Sequence, residues 1–278
     1  MAFRLANINE RAALVEGDSW YDLERASGRA LGPDSMAAIA AHAALHDVAA
    51  GLKDLEPDGS VAEVSFGPPV PSPRNCLAIG LNYQTHADEA GLELPTVPLV
   101  FTKFPSCITG PDSDVELRTE TGDYEVELVV VIGQGGRDIP ADQAWDHVAG
   151  LTCGQDVSDR RLQFAAKPPQ FALGKSRDTY GPIGPVVVSV DQFADPTQID
   201  LGCTINGEQR QADNTRNMIF SVADLIAYLS SIMTLAPGDI IFSGTPEGVG
   251  GPKKIYLQPG DVIVSTIEGI GTMTNTCV

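Results

Sequence analysis

Beyond residue 75 the chain is written almost entirely in strands, and this restricts its architecture more than any other feature. The segments CLAIG (76–80), DVELR (114–118), YEVELVVVIG (124–133), PVVVSV (185–190), IDLGCTI (199–205), GDIIFSG (238–244) and GDVIVSTIEGIG (260–271) are rich in Val and Ile and bounded by Gly, Pro, Asn and Asp. Only two helical patterns interrupt them: ADQAWDHVA (141–149) and FSVADLIAYLSSIMTL (220–235), the latter opened by Ser221 and Asp224 in capping-box spacing. A doubly wound sheet requires a helix between successive strands, so the pattern predicts an α+β, mostly β protein with a mixed β-roll or barrel. The stretch GPPVPSPRN (67–75) holds four prolines in nine residues and cannot continue a helix or a central strand. It divides the chain into a small N-terminal domain, 1–70, and a main domain, 71–278.

Charge narrows the range of partners. Eighteen Lys and Arg against 37 Asp and Glu leave a formal net charge of −19, which repels nucleic acid at long range. An anionic small molecule can still bind, provided a metal or a local cluster of cations reverses the field. With 43% hydrophobic and 20% charged residues, the composition is that of a folded chain. Cys76, Cys107, Cys153, Cys203 and Cys277 are scattered without a CxxC pair, so a reducing, cytoplasmic setting is expected. The first residues show no apolar core with a cleavage site, and no run approaches the ~18 apolar residues of a membrane helix, so neither export nor a membrane partner is expected.

Several clusters are candidates for chemistry. Glu125 and Glu127 lie two apart in the most apolar strand, so both carboxylates project to one face while Val126, Leu128 and Val130 pack opposite. Two adjacent like charges repel unless a cation sits between them; the competing reading is a solvent-facing strand edge. His86 and Glu89 in GLNYQTHADEAG (80–91) lie three apart, side by side on a helical turn, where a carboxylate can orient an imidazole general base; a capped surface turn is the alternative. His42 and His46 share a helix face, but Ala43 stands where a zinc protease needs Glu. Asp156, ending the strand-like LTCGQD, offers a third hard oxygen for Mg²⁺ or Mn²⁺, with Arg160 and Lys175 nearby in sequence to neutralise substrate oxygens. Asp156 or Ser158 would serve equally as the N-cap of a short helix at 159–166. In PGDIIFSGTPEGVG (237–250) a strand runs into a loop whose backbone N–H groups and Thr245 hydroxyl can approach an anion, or which is simply a turn.

Taken in order, GLNYxxHAxE, YEVELVVVIG, DxSxRxxQ, LGKSxDTYGPIGP, NGExRQ, MIFSVADLIAYLS, LAPGDIIFSGTPEGVG and LQPGDVIVSTIEGIGTMTN resemble the fumarylacetoacetate hydrolase family over about residues 72–278. The resemblance implies a mixed β-roll catalytic domain, usually homodimeric, with a small N-terminal domain. It places metal ligands on Glu125, Glu127 and Asp156, a lid base on His86 with Glu89, a catalytic lysine on Lys175 and a substrate-contacting amide on Gln163. Arg160 matches the family's DxSxR arginine, and Thr245 the threonine that contacts the substrate carboxylate. It further implies a small anionic keto acid as partner and Mg²⁺ or Mn²⁺ as cofactor. The expected activity is hydrolysis of the C–C bond of an acylpyruvate, with fumarylpyruvate giving pyruvate and fumarate in aromatic catabolism. The alternatives are an oxaloacetate decarboxylase, or an isomerase or decarboxylase of hydroxymuconate-type diacids.

Some positions depart from the family pattern: Cys153, Gln155, Asp159, Arg161 and, where Phe is frequent, Arg177. A cation two residues after Lys175 in so acidic a chain predicts that Arg177 binds a second, distal substrate carboxylate; the competing reading pairs it with Asp178 or Asp159.

Overall fold

The segment Val126–Ile132 contains no residue that is even partly exposed. A strand reaches that state only when both faces of its sheet are covered, which is why it reads as a continuous apolar run. In the computed structural model, which describes residues 1–278, this strand lies inside a twelve-stranded mixed sheet. Its neighbours are Val148–Gln155 and Ile240–Phe242, both antiparallel to it. The sheet continues through Ile240–Phe242 to Cys76–Gly80, a parallel pair, and ends at Leu99–Thr102. On the other side it runs from Val148–Gln155 to Gly181–Val188 and on to Arg4–Ile8. A second, antiparallel sheet is formed by Glu208–Asn214, Asp200–Ile205, Val262–Ile267 and Gly271–Thr276. Neither sheet closes, so the architecture is the expected mixed, mostly β one, in open rather than barrel form.

The period of two along the central strand sorts its side chains between two cores. Val126, Leu128 and Val130 pack with Leu201, Cys203, Ile263 and Met273 of the second sheet and with Leu225, Ile226 and Leu229 of the helix Val222–Ile232. Val129 and Val131 face the other way, onto Leu23, Ile39, Leu45 and Leu52. Residues 1–70 thus contribute strands to the large sheet and helices that cover one of its faces. Each fully buried aliphatic side chain contributes about 1.5–3 kcal/mol, so both cores hold the strand in register.

The helix Val222–Ile232 carries the expected capping box, with Ser221 Oγ accepting from Asp224 N and Asp224 Oδ2 accepting from Ser221 N. Two local expectations are corrected. Residues 141–149 form a 3₁₀ helix, Ala141–His147, because the strand Val148–Gln155 claims the last two positions. DVELR forms no strand: Val115 bridges Cys277, but Glu116 gives its N–H to the Thr179 hydroxyl. Among the described residues, no helix is long and apolar enough to cross a membrane.

Candidate metal centre and active site

Antiparallel register assembles the acidic cluster. Val126 pairs with Gln155, and Asp156 N donates to Glu125 O at 2.9 Å, so the carboxylates at one end of two adjacent strands converge. One oxygen from each of Glu125, Glu127 and Asp156 lies within 4.8 Å of the others. Their exposures of 5, 1 and 0% rule out the solvent-facing edge. At an effective dielectric near 20, each ionised pair at such range costs about 3–4 kcal/mol, and three pairs together rival the ~5–15 kcal/mol stability of a whole domain. The cluster therefore requires positive charge.

Part of it is supplied by the chain. Lys175 Nζ donates to Glu125 Oε2 and Asp156 Oδ2, both at 2.7 Å. Arg160 donates to Glu125 Oε1 at 2.6 Å and to Asp123 Oδ2 at 2.7 Å. Lys103, fully buried, donates to Asp156 Oδ1 at 2.6 Å and to the carbonyls of Lys175 and Tyr180. Burial would raise the Glu125 carboxyl, but Lys175 and Arg160 outweigh it and hold it at about 2. Glu127 is the exception. Among the described residues it has no cationic partner at salt-bridge distance, only the Gly244 N–H at 2.8 Å. Burial, reinforced by Asp156 and Glu125, pushes its carboxyl well above the usual range. Gly244 gets this close because it has φ +101° and no side chain; a Cβ there would lie 2.6 Å from Asn82 Cβ. Three hard carboxylate donors with one left uncompensated fit a divalent cation such as Mg²⁺ or Mn²⁺.

The cluster opens, through Glu125, onto a cavity of about 770 Å³. His86, Glu89, Arg160, Gln163, Lys175 and Thr245 also border it, so the structure brings most of the expected site residues together. Gln163 Oε1 accepts from Arg160 at 3.0 Å, leaving the amide nitrogen for the cavity. His86 sits on the helix Gln84–Ala90; its Nδ1 is buried without a partner among the described residues, and burial lowers its pKa below the usual histidine value.

Other expectations need correction. Glu89 does not hydrogen-bond His86: its Oε2 accepts from Gly248 N at 2.9 Å, tying the helix to the loop beyond Thr245. The Thr245 hydroxyl donates to Val126 O and accepts from Gln211 Nε2, so donating to a substrate carboxylate requires its bond to Val126 O to be given up. Arg177 does not border the cavity. Its Nε and Nη2 donate to Asp159 Oδ2 at 3.0 and 2.8 Å, the competing pairing with a neighbouring acid. The short helix is Arg160–Gln163, and its N-cap is Asp159 rather than Asp156 or Ser158. His42 and His46 bond the carbonyls of Ile39 and Met1, and neither belongs to the cluster of Glu125, Glu127 and Asp156.

Sequence reasoning missed Lys103, Asp123 and Gln211. Lys103 was marked only by being a lysine in the apolar LVFTKFP. Asp123 binds Arg160 and the N–H groups of Gly250 and Gly251, contacts across 37 to 128 residues that no local pattern reveals.

The family described as fumarylacetoacetate (FAA) hydrolase, C-terminal, matches residues 75–278. The chain belongs to the fumarylacetoacetate hydrolase family. It is 42% identical over 221 residues to human mitochondrial oxaloacetate tautomerase, covering 78% of this chain and 70% of that protein. It is 44% identical over 215 residues to 2,4-didehydro-3-deoxy-L-rhamnonate hydrolase of Sphingomonas sp. strain SKA58, covering 76 and 75%. Maleylpyruvate hydrolase of Sphingobium sp. SYK-6, solved with manganese(II) and pyruvate, superimposes with a TM-score of 0.83 at 31% identity over 99% of this chain and 98% of that one. These relatives of the fumarylacetoacetate hydrolase family include hydrolases and a tautomerase on one fold, so family membership supports a metal-dependent enzyme without fixing the reaction.

Proposed function

We propose that the protein is a divalent-metal-dependent hydrolase that cleaves the C–C bond of an acylpyruvate, with fumarylpyruvate as substrate and Mg²⁺ or Mn²⁺ as cofactor. The observation that carries this reading is the convergence of three buried carboxylates with His86, Lys175 and Gln163 at one cavity. Every residue bordering that cavity lies between 79 and 256, so 71–278 is proposed as the catalytic part and 1–70 as its scaffold.

Glu125, Glu127 and Asp156 would hold the cation, which supplies a Lewis acid for the carboxylate and keto oxygens of the pyruvyl end. His86, neutral because burial disfavours its charged form, removes a proton from water as that water adds to the distal carbonyl. Lys175 and the Gln163 amide donate to the oxyanion that develops there. The bond between the former carbonyl carbon and the pyruvyl carbon then breaks, releasing a carboxylic acid and, after protonation, pyruvate.

A second reading, oxaloacetate tautomerisation or decarboxylation, draws on the 42% identity to the human tautomerase. The cavity favours the longer substrate. At about 770 Å³ it falls in the ~300–1,000 Å³ range of sites for sizeable ligands and exceeds what a four-carbon keto acid fills. The deciding assay measures pyruvate release from fumarylpyruvate, acetylpyruvate and oxaloacetate, and keto–enol exchange of oxaloacetate, with Mg²⁺ or Mn²⁺. Activity confined to oxaloacetate would replace the hydrolase reading.

A further inference from the structure

Three cations border the cavity: Arg160, Arg161 and Lys175. Arg160 and Lys175 are bound to carboxylates of the acidic cluster. Arg161 is exposed, and among the described residues no carboxylate pairs with it. Lining the cavity without a carboxylate partner, Arg161 has its whole guanidinium fork open to an anionic ligand. Its nearest acidic neighbour in sequence, Asp159, is already committed to Arg177, to the Thr119 and Thr121 hydroxyls and to the Leu162 N–H. The pairing that takes Arg177 out of the site is also what leaves Arg161 free.

The base of the side chain is fixed. Arg161 N donates to Thr121 Oγ1 at 3.0 Å, and that hydroxyl donates to Asp159 Oδ1 at 3.0 Å. Part of the cavity wall is aromatic. Phe101, Phe171 and Phe164 form an edge-to-face series with centroids 5.6 and 6.0 Å apart. Such a wall suits a short, unsaturated hydrocarbon chain, polar only at its two ends.

We propose that Arg161 forms a distal anion subsite, binding a second carboxylate at the far end of a keto-acid substrate whose pyruvyl end docks at Glu125, Glu127 and Asp156. The inference rests on the reading of the acidic cluster as the pyruvyl-binding end. It assigns specificity for diacids to Arg161, the role that the sequence had suggested for Arg177.

Two keto acids of equal chain length isolate the subsite: 2-oxoadipate and 2-oxohexanoate differ only in the distal carboxylate, and neither has the second carbonyl that hydrolysis needs. Calorimetric titration of the Mg²⁺-loaded protein should show 2-oxoadipate bound about tenfold or more tightly, the worth of one charge-assisted hydrogen bond. Arg161→Met should abolish that preference while leaving the affinities for 2-oxohexanoate and for Mg²⁺ unchanged, and Arg177→Met should retain it. Equal affinities in the wild type, or a preference that survives Arg161→Met, would overturn the proposal. In turnover, Arg161→Met should lower kcat/KM for fumarylpyruvate about tenfold and spare acetylpyruvate. If the wild type cleaves neither acylpyruvate yet keeps its preference for 2-oxoadipate, the hydrolase reading fails and the subsite stands.

Discussion

At the scale of single residues, the site is organised by uneven compensation. Glu125 is held at about 2 by two cations, whereas Glu127, two residues away, is pushed up with only one N–H for support. Glu127→Ala should therefore abolish metal binding, because it removes the ligand with the greatest need of the cation. Lys175→Ala removes a competing cation from Glu125 and Asp156, so it should bind metal at least as well and lose about 10²-fold in rate as an oxyanion donor. Equal loss of metal by both variants, measured by calorimetry, would erase this division of labour. His86 gives a pH prediction. Only neutral imidazole accepts a proton, and burial lowers the pKa, so the acid limb of kcat/KM should fall below the ordinary histidine value of about 6.5. A limb above that value would remove His86 as the base.

At the scale of elements, the helix Gln84–Ala90 that carries His86 is too short to be stable alone. It ends at Gly91, left-handed with φ +67°, and Glu89 anchors it to Gly248, with Ala87 buried beneath. So few anchors make local opening easy, and a ligand beneath the helix should hold it shut. Amide exchange across 84–91 is expected to slow when Mg²⁺ and oxalate are added together. Identical protection with and without them would mean that the helix is part of the rigid wall. In contrast, the central strand Val126–Ile132 is buried on both faces and should exchange slowly in either state.

At the scale of the whole molecule, the candidate cation site sits where two strands of the large sheet, the loop after Ile240–Phe242 and the segment around Lys175 meet, so its occupancy should report on the fold. A cation that binds only the native state at a hundred times its Kd adds about 2.7 kcal/mol, which for a chain of this size corresponds to a rise in Tm of roughly 5–10 °C. Thermal unfolding should show that rise with Mg²⁺ or Mn²⁺, its reversal by chelator and its absence in Glu127→Ala. A Tm indifferent to metal in the wild type would argue against a built cation site.

How much of this was legible in the sequence depends on the range of the interactions. The strand-dominated architecture, the capping box at Ser221 and the shared face of Glu125 and Glu127 follow from periodicities of two and 3.6 residues, which are local properties of the backbone. The ordered blocks also pointed to Asp156, Lys175 and Gln163 together, and the structure sets Lys175 and Gln163 at one cavity with Asp156 bound to Lys175. What local pattern cannot carry is partner choice. Whether Arg177 meets a substrate or Asp159, whether Glu89 faces His86 or Gly248, and that Lys103 lies behind Asp156 are all decided by contacts across 18 to 159 residues. In a chain with 37 acids every arginine has many candidate partners. Only the tertiary structure, by burying some carboxylates and committing others, selects among them, because the energy of a charge pair depends on distance and desolvation and not on position along the chain.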